Sequence, residues 1–165
     1  MSSRFVICVA TFVALAGALT ACSKEIGDAC IIDSDCDING TRSCDTSMRE
    51  GYCTIRGCDF DTCPEEATCV RFFSGGFDNK PCDPTGPNQG SNDCDLDELC
   101  GLDGHCVARS SEVRYCMRTC AGDSDCRDGY ECRDLDLMIR HGGSPVLAPG
   151  NAVDDRSPKF CAPAL

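Results

Sequence analysis

The chain has 165 residues, 18 cysteines, no tryptophan and a formal net charge of −12, with 27 acidic side chains against 15 basic ones. That balance disfavours nucleic acid and anionic surfaces as partners, and the cysteine density belongs to a compartment where thiols oxidise. A conventional hydrophobic core is also excluded: the 143 residues after Cys22 contain only 29 Val, Leu, Ile, Met, Phe or Tyr, too few to offset chain entropy without covalent help.

At the N-terminus Arg4 precedes an apolar stretch, residues 5–18, which is shorter than the ~20 residues needed to span a bilayer. Small residues and the run Leu19-Thr20-Ala21-Cys22 follow. This arrangement resembles the signal peptide and lipobox of bacterial lipoproteins. The resemblance implies that residues 1–21 are removed, that the Cys22 sulfur carries a diacylglycerol, and that residues 22–29 are a tether. It implies contact with a membrane through the lipid, and Ser23 is compatible with sorting to the outer membrane or cell surface of a bacterium. Cysteine parity agrees: losing Cys8 and acylating Cys22 leaves sixteen thiols, an even set, whereas ordinary cleavage near Ala21 strands one.

The sixteen fall into four groups in chain order. The first is Cys30, Cys36, Cys44 and Cys53 (residues 30–53); the second is Cys58, Cys63, Cys69 and Cys82 (within 54–82). The third is Cys94, Cys100, Cys106 and Cys116 (94–116), and the fourth Cys120, Cys126, Cys132 and Cys161 (120–161). First cysteines recur at intervals of 28, 36 and 26 residues, the range of repeated supersecondary units. An Asp-x-Asp pair precedes the second cysteine of the first, second and fourth groups and follows the first cysteine of the third. Gly51-Tyr52-Cys53, Gly104-His105-Cys106 and Gly129-Tyr130-Glu131-Cys132 place glycine-led turns before later cysteines, as a hairpin held by a disulfide requires. Four cysteines allow three pairings, and pairing between groups stays open. The Gly- and Pro-rich residues 74–92 read as a hinge between two halves. Residues 133–160 read as a short strand or helical turn followed by a closed loop. The expected fold is small and disulfide-rich: tandem short β-hairpin modules with long loops and little helix outside the signal peptide.

The run from Cys120 to Cys132, with its Asp-Ser-Asp-Cys opening repeated at Cys36, resembles the small modules of the Dickkopf N-terminal and colipase-like type. That resemblance implies a binding or adaptor role without catalysis. Those families contain adjacent cysteine pairs that this chain lacks, so no bridge pattern is carried over.

Among chemical motifs, Asp35, Asp37 and Asn39 before Gly40 reproduce the first half of a calcium-binding EF-hand loop. The second half departs from it, with Thr46 where a bidentate Glu is wanted, so a solvated Asx-rich turn is the competing reading. No C-x2-C occurs, which disfavours zinc, iron–sulfur and thioredoxin-like chemistry. The two histidines, His105 and His141, read as exposed loop residues. Phe72, Phe73 and Phe77 either cap a starved core or form a contact for a protein partner. The expectation is a lipid-anchored, extracytoplasmic, non-enzymatic binding or adhesion module for an unidentified protein or glycan, with no cofactor other than possible calcium. The alternatives are a calcium-stabilised structural envelope protein and an accessory or hydrolytic extracellular enzyme.

Overall fold

A computed structural model describes residues 24–74, 80–84 and 94–165. The expected signal peptide, Cys22, Phe77 and most of the expected hinge lie outside these residues. The Asp-, Gly- and Pro-rich sequence interrupts every element early. In chain order they are α1 (Asp33–Cys36), β1 (Ser43–Cys44), β2 (Cys53–Thr54), β3 (Ala67–Phe73), β4 (Glu98–Cys100), β5 (Cys106–Ala108) and β6 (Glu112–Arg118). Then follow β7 (Tyr130–Arg133), α2 (Leu135–His141), β8 (Ser144–Pro145) and β9 (Phe160–Pro163). Short antiparallel strands and two short helices make this a small disulfide-rich hairpin protein, as the composition leads one to expect.

One arrangement occurs four times. Two cysteines stand opposite each other across an antiparallel pair: Cys44 and Cys53 in β1–β2, Cys69 and Cys116 in β3–β6, Cys100 and Cys106 in β4–β5, Cys132 and Cys161 in β7–β9. Directly opposed residues share one face of a sheet, so both sulfurs of a pair leave on the same side. They never join each other. Each bonds instead to a cysteine in the segment before its hairpin: Cys30–Cys44 with Cys36–Cys53, Cys58–Cys69 with Cys63–Cys116, Cys82–Cys100 with Cys94–Cys106, and Cys120–Cys132 with Cys126–Cys161. The bridges of a unit lie side by side, with three of its sulfurs within 4.8 Å of one another.

Two of these units differ from the groups read in chain order. Cys82 pairs with Cys100, and Cys116 pairs with Cys63, so a unit built on Cys82, Cys94, Cys100 and Cys106 is nested between β3 and β6 of another. The chain leaves β3 at one end of the expected hinge and, after the nested hairpin, returns in β6 to pair with β3 over seven residues. Lys80 to Cys82 form an edge of the nested unit: Cys82 N–H donates to Gly104 O at 2.8 Å and Cys106 N–H to Lys80 O at 3.0 Å.

The β6–β3–β8 sheet joins the units. Residues following β2 run along β6: Cys116 N–H donates to Ile55 O at 2.9 Å, Gly57 N–H to Arg114 O at 2.9 Å, and the Thr54 hydroxyl to Cys116 O at 2.8 Å. The shared core contains Ile26, Tyr52, Val70, Met117, Met138 and Phe160 with the sulfurs of Cys58, Cys69 and Cys116; the first unit has a separate cluster of cysteines alone. Gly51 makes this unit possible, because its φ is +68° and an added Cβ would lie 2.0 Å from the Cys30 carbonyl oxygen. Tyr52 then enters the shared core. Its hydroxyl accepts the Arg118 N–H at 2.9 Å and donates to Cys161 O at 3.3 Å, and burial pushes its phenol well above the usual tyrosine value. Its ring stacks on Tyr130 with centroids 5.6 Å apart, and the Arg127 guanidinium covers Tyr130 at 4.2 Å. The Arg127 Nε and Nη1 atoms lack a hydrogen-bond acceptor; the aromatic face beneath the guanidinium supplies the compensating attraction.

Tyr52→Phe should lower unfolding free energy by about 1–3 kcal/mol, because it strands a buried N–H and a buried carbonyl while leaving the packing intact; denaturant titration of the oxidised protein measures this. Replacing both Cys63 and Cys116 with Ser should cost on the order of 3–4 kcal/mol, since their bridge closes a 53-residue separation. Removing the Cys58–Cys69 bridge, which closes 11 residues, should cost less in the same assay.

Candidate functional site

The calcium-like residues belong to turns that employ their own oxygens. Asp35 Oδ2 accepts the N–H groups of Ile31 at 2.8 Å and Ile32 at 3.2 Å. Asp37 accepts the N–H of Asn39 at 3.0 Å and of Thr41 at 3.1 Å, together with the Thr41 hydroxyl. The fourth unit repeats the device. Asp125 Oδ2 accepts from Ala121 at 2.7 Å and Gly122 at 3.2 Å, while Asp33 and Asp123 each accept the N–H of their unit's third cysteine, Cys44 and Cys132, at 2.8 Å. The shared Asp-Ser-Asp-Cys thus fastens the segment before a hairpin to the hairpin itself. In the second unit Thr62 closes only the local turn, its hydroxyl accepting the Asp59 N–H at 2.8 Å. Among the described residues, the groups of three or more His, Cys, Asp or Glu donors close enough to share an ion are cysteine sulfurs engaged in disulfides. Asp35, Asp37 and Asn39 are not brought together with further carboxylates.

A cleft of about 350 Å³ opens where three segments meet: the end of β3 with Phe72 and Phe73, residues 101–103 of the nested unit, and the end of α2 with Ile139 and His141. The α2 helix is fixed at both ends. Asp134 caps its start by accepting the Leu137 N–H at 3.1 Å. At its other end the Arg133 guanidinium, 4% exposed, donates to His141 O at 2.7 Å, Gly142 O at 2.8 Å and Pro163 O at 2.9 Å. Arg133 Nε also donates to Glu131 Oε1 at 2.9 Å, and that oxygen lies 2.7 Å from His141 Nδ1.

A carboxylate can only accept, so the His141 Nδ1 is the donor in this contact, and in the neutral form of the ring the lone pair is left on Nε2. His141 is therefore the oriented last residue of a helix, with its side chain 21% exposed, where an exposed loop residue was expected. Gly143 closes the floor of the cleft: its φ is +83°, and a Cβ there would lie 2.7 Å from Phe72 and 2.8 Å from Phe160. Phe72 meets Phe160 edge-on at 6.1 Å and Tyr115 at 6.3 Å, so Phe72 packs on the core as well as lining the cleft with Phe73. His105, by contrast, lies in a turn, 3.4 Å from Asp103, with its side chain 45% exposed.

The aromatic cluster at Phe72 and Phe73 was visible in the sequence, and both line the cleft. Glu131 and Arg133 carried no such sign, because their roles depend on the return of β9 and the end of α2. No family model matches the chain, and neither a curated protein nor a solved structure is found to be similar to it.

Backbone N–H groups, first Ile31 and then Ile32 for Asp35, first Ala121 and then Gly122 for Asp125, hold these carboxyls below the ordinary aspartate value. The stability they contribute is fully present above the unfolded aspartate value of about 3.9 and is lost as pH falls through the lower folded value. The melting temperature should accordingly be level from pH 8 to about 5 and decline below about 4. In the D35N/D125N variant, thermal melts should show a lower plateau and a shallower acid decline; an unchanged acid limb would contradict this role.

Proposed function

We propose that the chain is a lipid-anchored, extracytoplasmic, non-enzymatic binding protein that presents the Phe73–His141 cleft to a protein partner. Cys22 carries the lipid at the outer membrane or cell surface, close against the units, because the expected tether is instead packed into them from residue 24 onward, with Ile26 buried in the shared core and Gly27 N–H donating to Cys53 O at 2.9 Å; the cleft receives an apolar side chain bearing a hydrogen-bond donor. One observation carries the reading. An imidazole fixed by Glu131 through Nδ1 stands in a cleft walled by Phe73, Leu102 and Ile139 and lined also by Asp103 and Arg140, which sets an oriented ring and a few polar groups beside apolar side chains, the usual composition of a small recognition site. All three contributing segments belong to disulfide-bonded units, so little ordering entropy remains to oppose association.

One feature weighs against the calcium alternative. The carboxylates of Asp35 and Asp37 are engaged by backbone and hydroxyl donors, which gives calcium no evident purchase there. Among the described residues no helix is long and apolar enough to cross a membrane.

Indole supplies an apolar body and one N–H donor; 1-methylindole supplies the body alone. Amide-resolved NMR titration of the oxidised protein should show saturable indole shifts at His141 and Ile139, with 1-methylindole several-fold weaker. Phe73→Ala should weaken indole binding with little change in melting temperature, whereas Phe72→Ala should cost about 2–4 kcal/mol of stability. Absence of saturable shifts at millimolar indole would remove the reading of the cleft. Mass measurement of the mature N-terminus tests the anchor separately: it should show a diacylated Cys22 and no residue upstream.

A further inference from the structure

We infer that a second cavity, about 330 Å³ between β3, the nested unit and residues 145–153, is a binding site for an oxyanion carried on a short apolar body. It lies beside the Phe73–His141 cleft, and its argument is independent of the function proposed for that cleft. Among the described residues its walls carry two arginines, Arg71 and Arg109, and no aspartate or glutamate. On a chain of net charge −12, that is a local inversion of sign, and an anion repelled by most of this surface would find attraction here.

Arg71 is held for the task. It sits on β3 opposite Ser144 of β8, and its Nε donates to the Ser144 hydroxyl at 3.0 Å. That bond fixes the plane of the guanidinium. Among the described residues its two terminal nitrogens have no hydrogen bond and no ion pair, and the same is true of the Arg109 guanidinium. The carboxylate whose charge acts on Arg71, Glu112, is itself bonded to Arg114. A part-buried guanidinium without a carboxylate partner is uncommon, because desolvation then goes uncompensated. Burial indeed holds Arg71 below the ordinary arginine value; Glu112 opposes that effect, and Arg114 and Arg109 add to it. A bound oxyanion would supply the missing charge, and the planar fork suits the two oxygens of a carboxylate or phosphoryl group.

The rest of the cavity sets the body of the ligand. Leu99, Leu102, Val146 and Val153 present apolar side chains to it, and the Val146 N–H, donating to Cys69 O at 2.8 Å, ties the loop to β3. The Cys126–Cys161 bridge closes the 35-residue separation that contains this loop. The site therefore fits an amphiphile with one small anionic head, in preference to a free inorganic ion or a polyanion.

Calorimetric titration of the oxidised protein at constant ionic strength, with hexanoate, hexyl phosphate and hexanol as probes, tests this directly. At least one of the two anions should bind saturably, and hexanol should bind about tenfold or more weakly; the tighter anion tells whether the natural head is a carboxylate or a phosphoryl group. Arg109→Gln, at an exposed position, and Arg71→Lys, which keeps the charge but loses the fork, should each weaken the anion about tenfold without loss of fold by circular dichroism. Failure of both anions to saturate, equal binding of hexanol, or unchanged affinity in R109Q would overturn the inference. If R71K fails to fold, R109Q alone decides.

Discussion

Two cysteines set opposite each other on an antiparallel pair, each bonded backward to the segment that precedes the hairpin, form the constraint on which this molecule depends. The pairing places both sulfurs on one face, and the two bridges press the leading segment against that face. Little apolar surface is required for such a unit to hold its shape; in the first unit the buried cluster is sulfur alone. Four copies supply eight bridges, and the entropy removed from the unfolded chain stands in for hydrocarbon that the composition does not contain.

Nesting turns these copies into one body. Because the third unit is inserted between β3 and β6, the longest paired strands among the described residues are bridged by contacts distant in sequence, and the Cys63–Cys116 bond encloses the whole insertion. The first unit docks by Tyr52 and by the run of backbone bonds along β6. The fourth docks through Phe160 and the edge strand β8. Both cavities follow from this assembly, since each has walls from the nested unit, from β3 and from the long loop of the fourth unit. Adjacent residues of one strand serve both: Arg71 faces one cavity, while Phe72 and Phe73 contribute to the other.

Much of the framework was readable from residues alone. Sixteen paired cysteines, short hairpins and glycine before later cysteines follow from composition and local chemistry, whereas after Arg133 a short strand and a helical turn were both open, and the helix α2 is what forms. The Asp-x-Asp pairs were visible, but their purpose was not: an aspartate two residues from another resembles an ion ligand until one knows which N–H groups lie nearby. The grouping of the middle cysteines was hidden for a different reason. Chain order makes Cys82 follow Cys69 as naturally as Cys53 follows Cys44, and only the seven-residue register of β3 with β6 places Cys116 opposite Cys69. Long-range pairing of this kind leaves no local trace. The same holds for the cleft, where His141 owes its orientation to Glu131 and Arg133 on a strand that becomes a hairpin only when β9 returns.

The nested connectivity can be measured without altering the protein. Proteolysis under non-reducing, acidic conditions followed by mass analysis should recover peptides joined through Cys63–Cys116 and Cys82–Cys100, with Cys69 joined to Cys58. Recovery of Cys63 joined to Cys82 and of Cys100 joined to Cys116, as four successive independent units would require, would contradict the account.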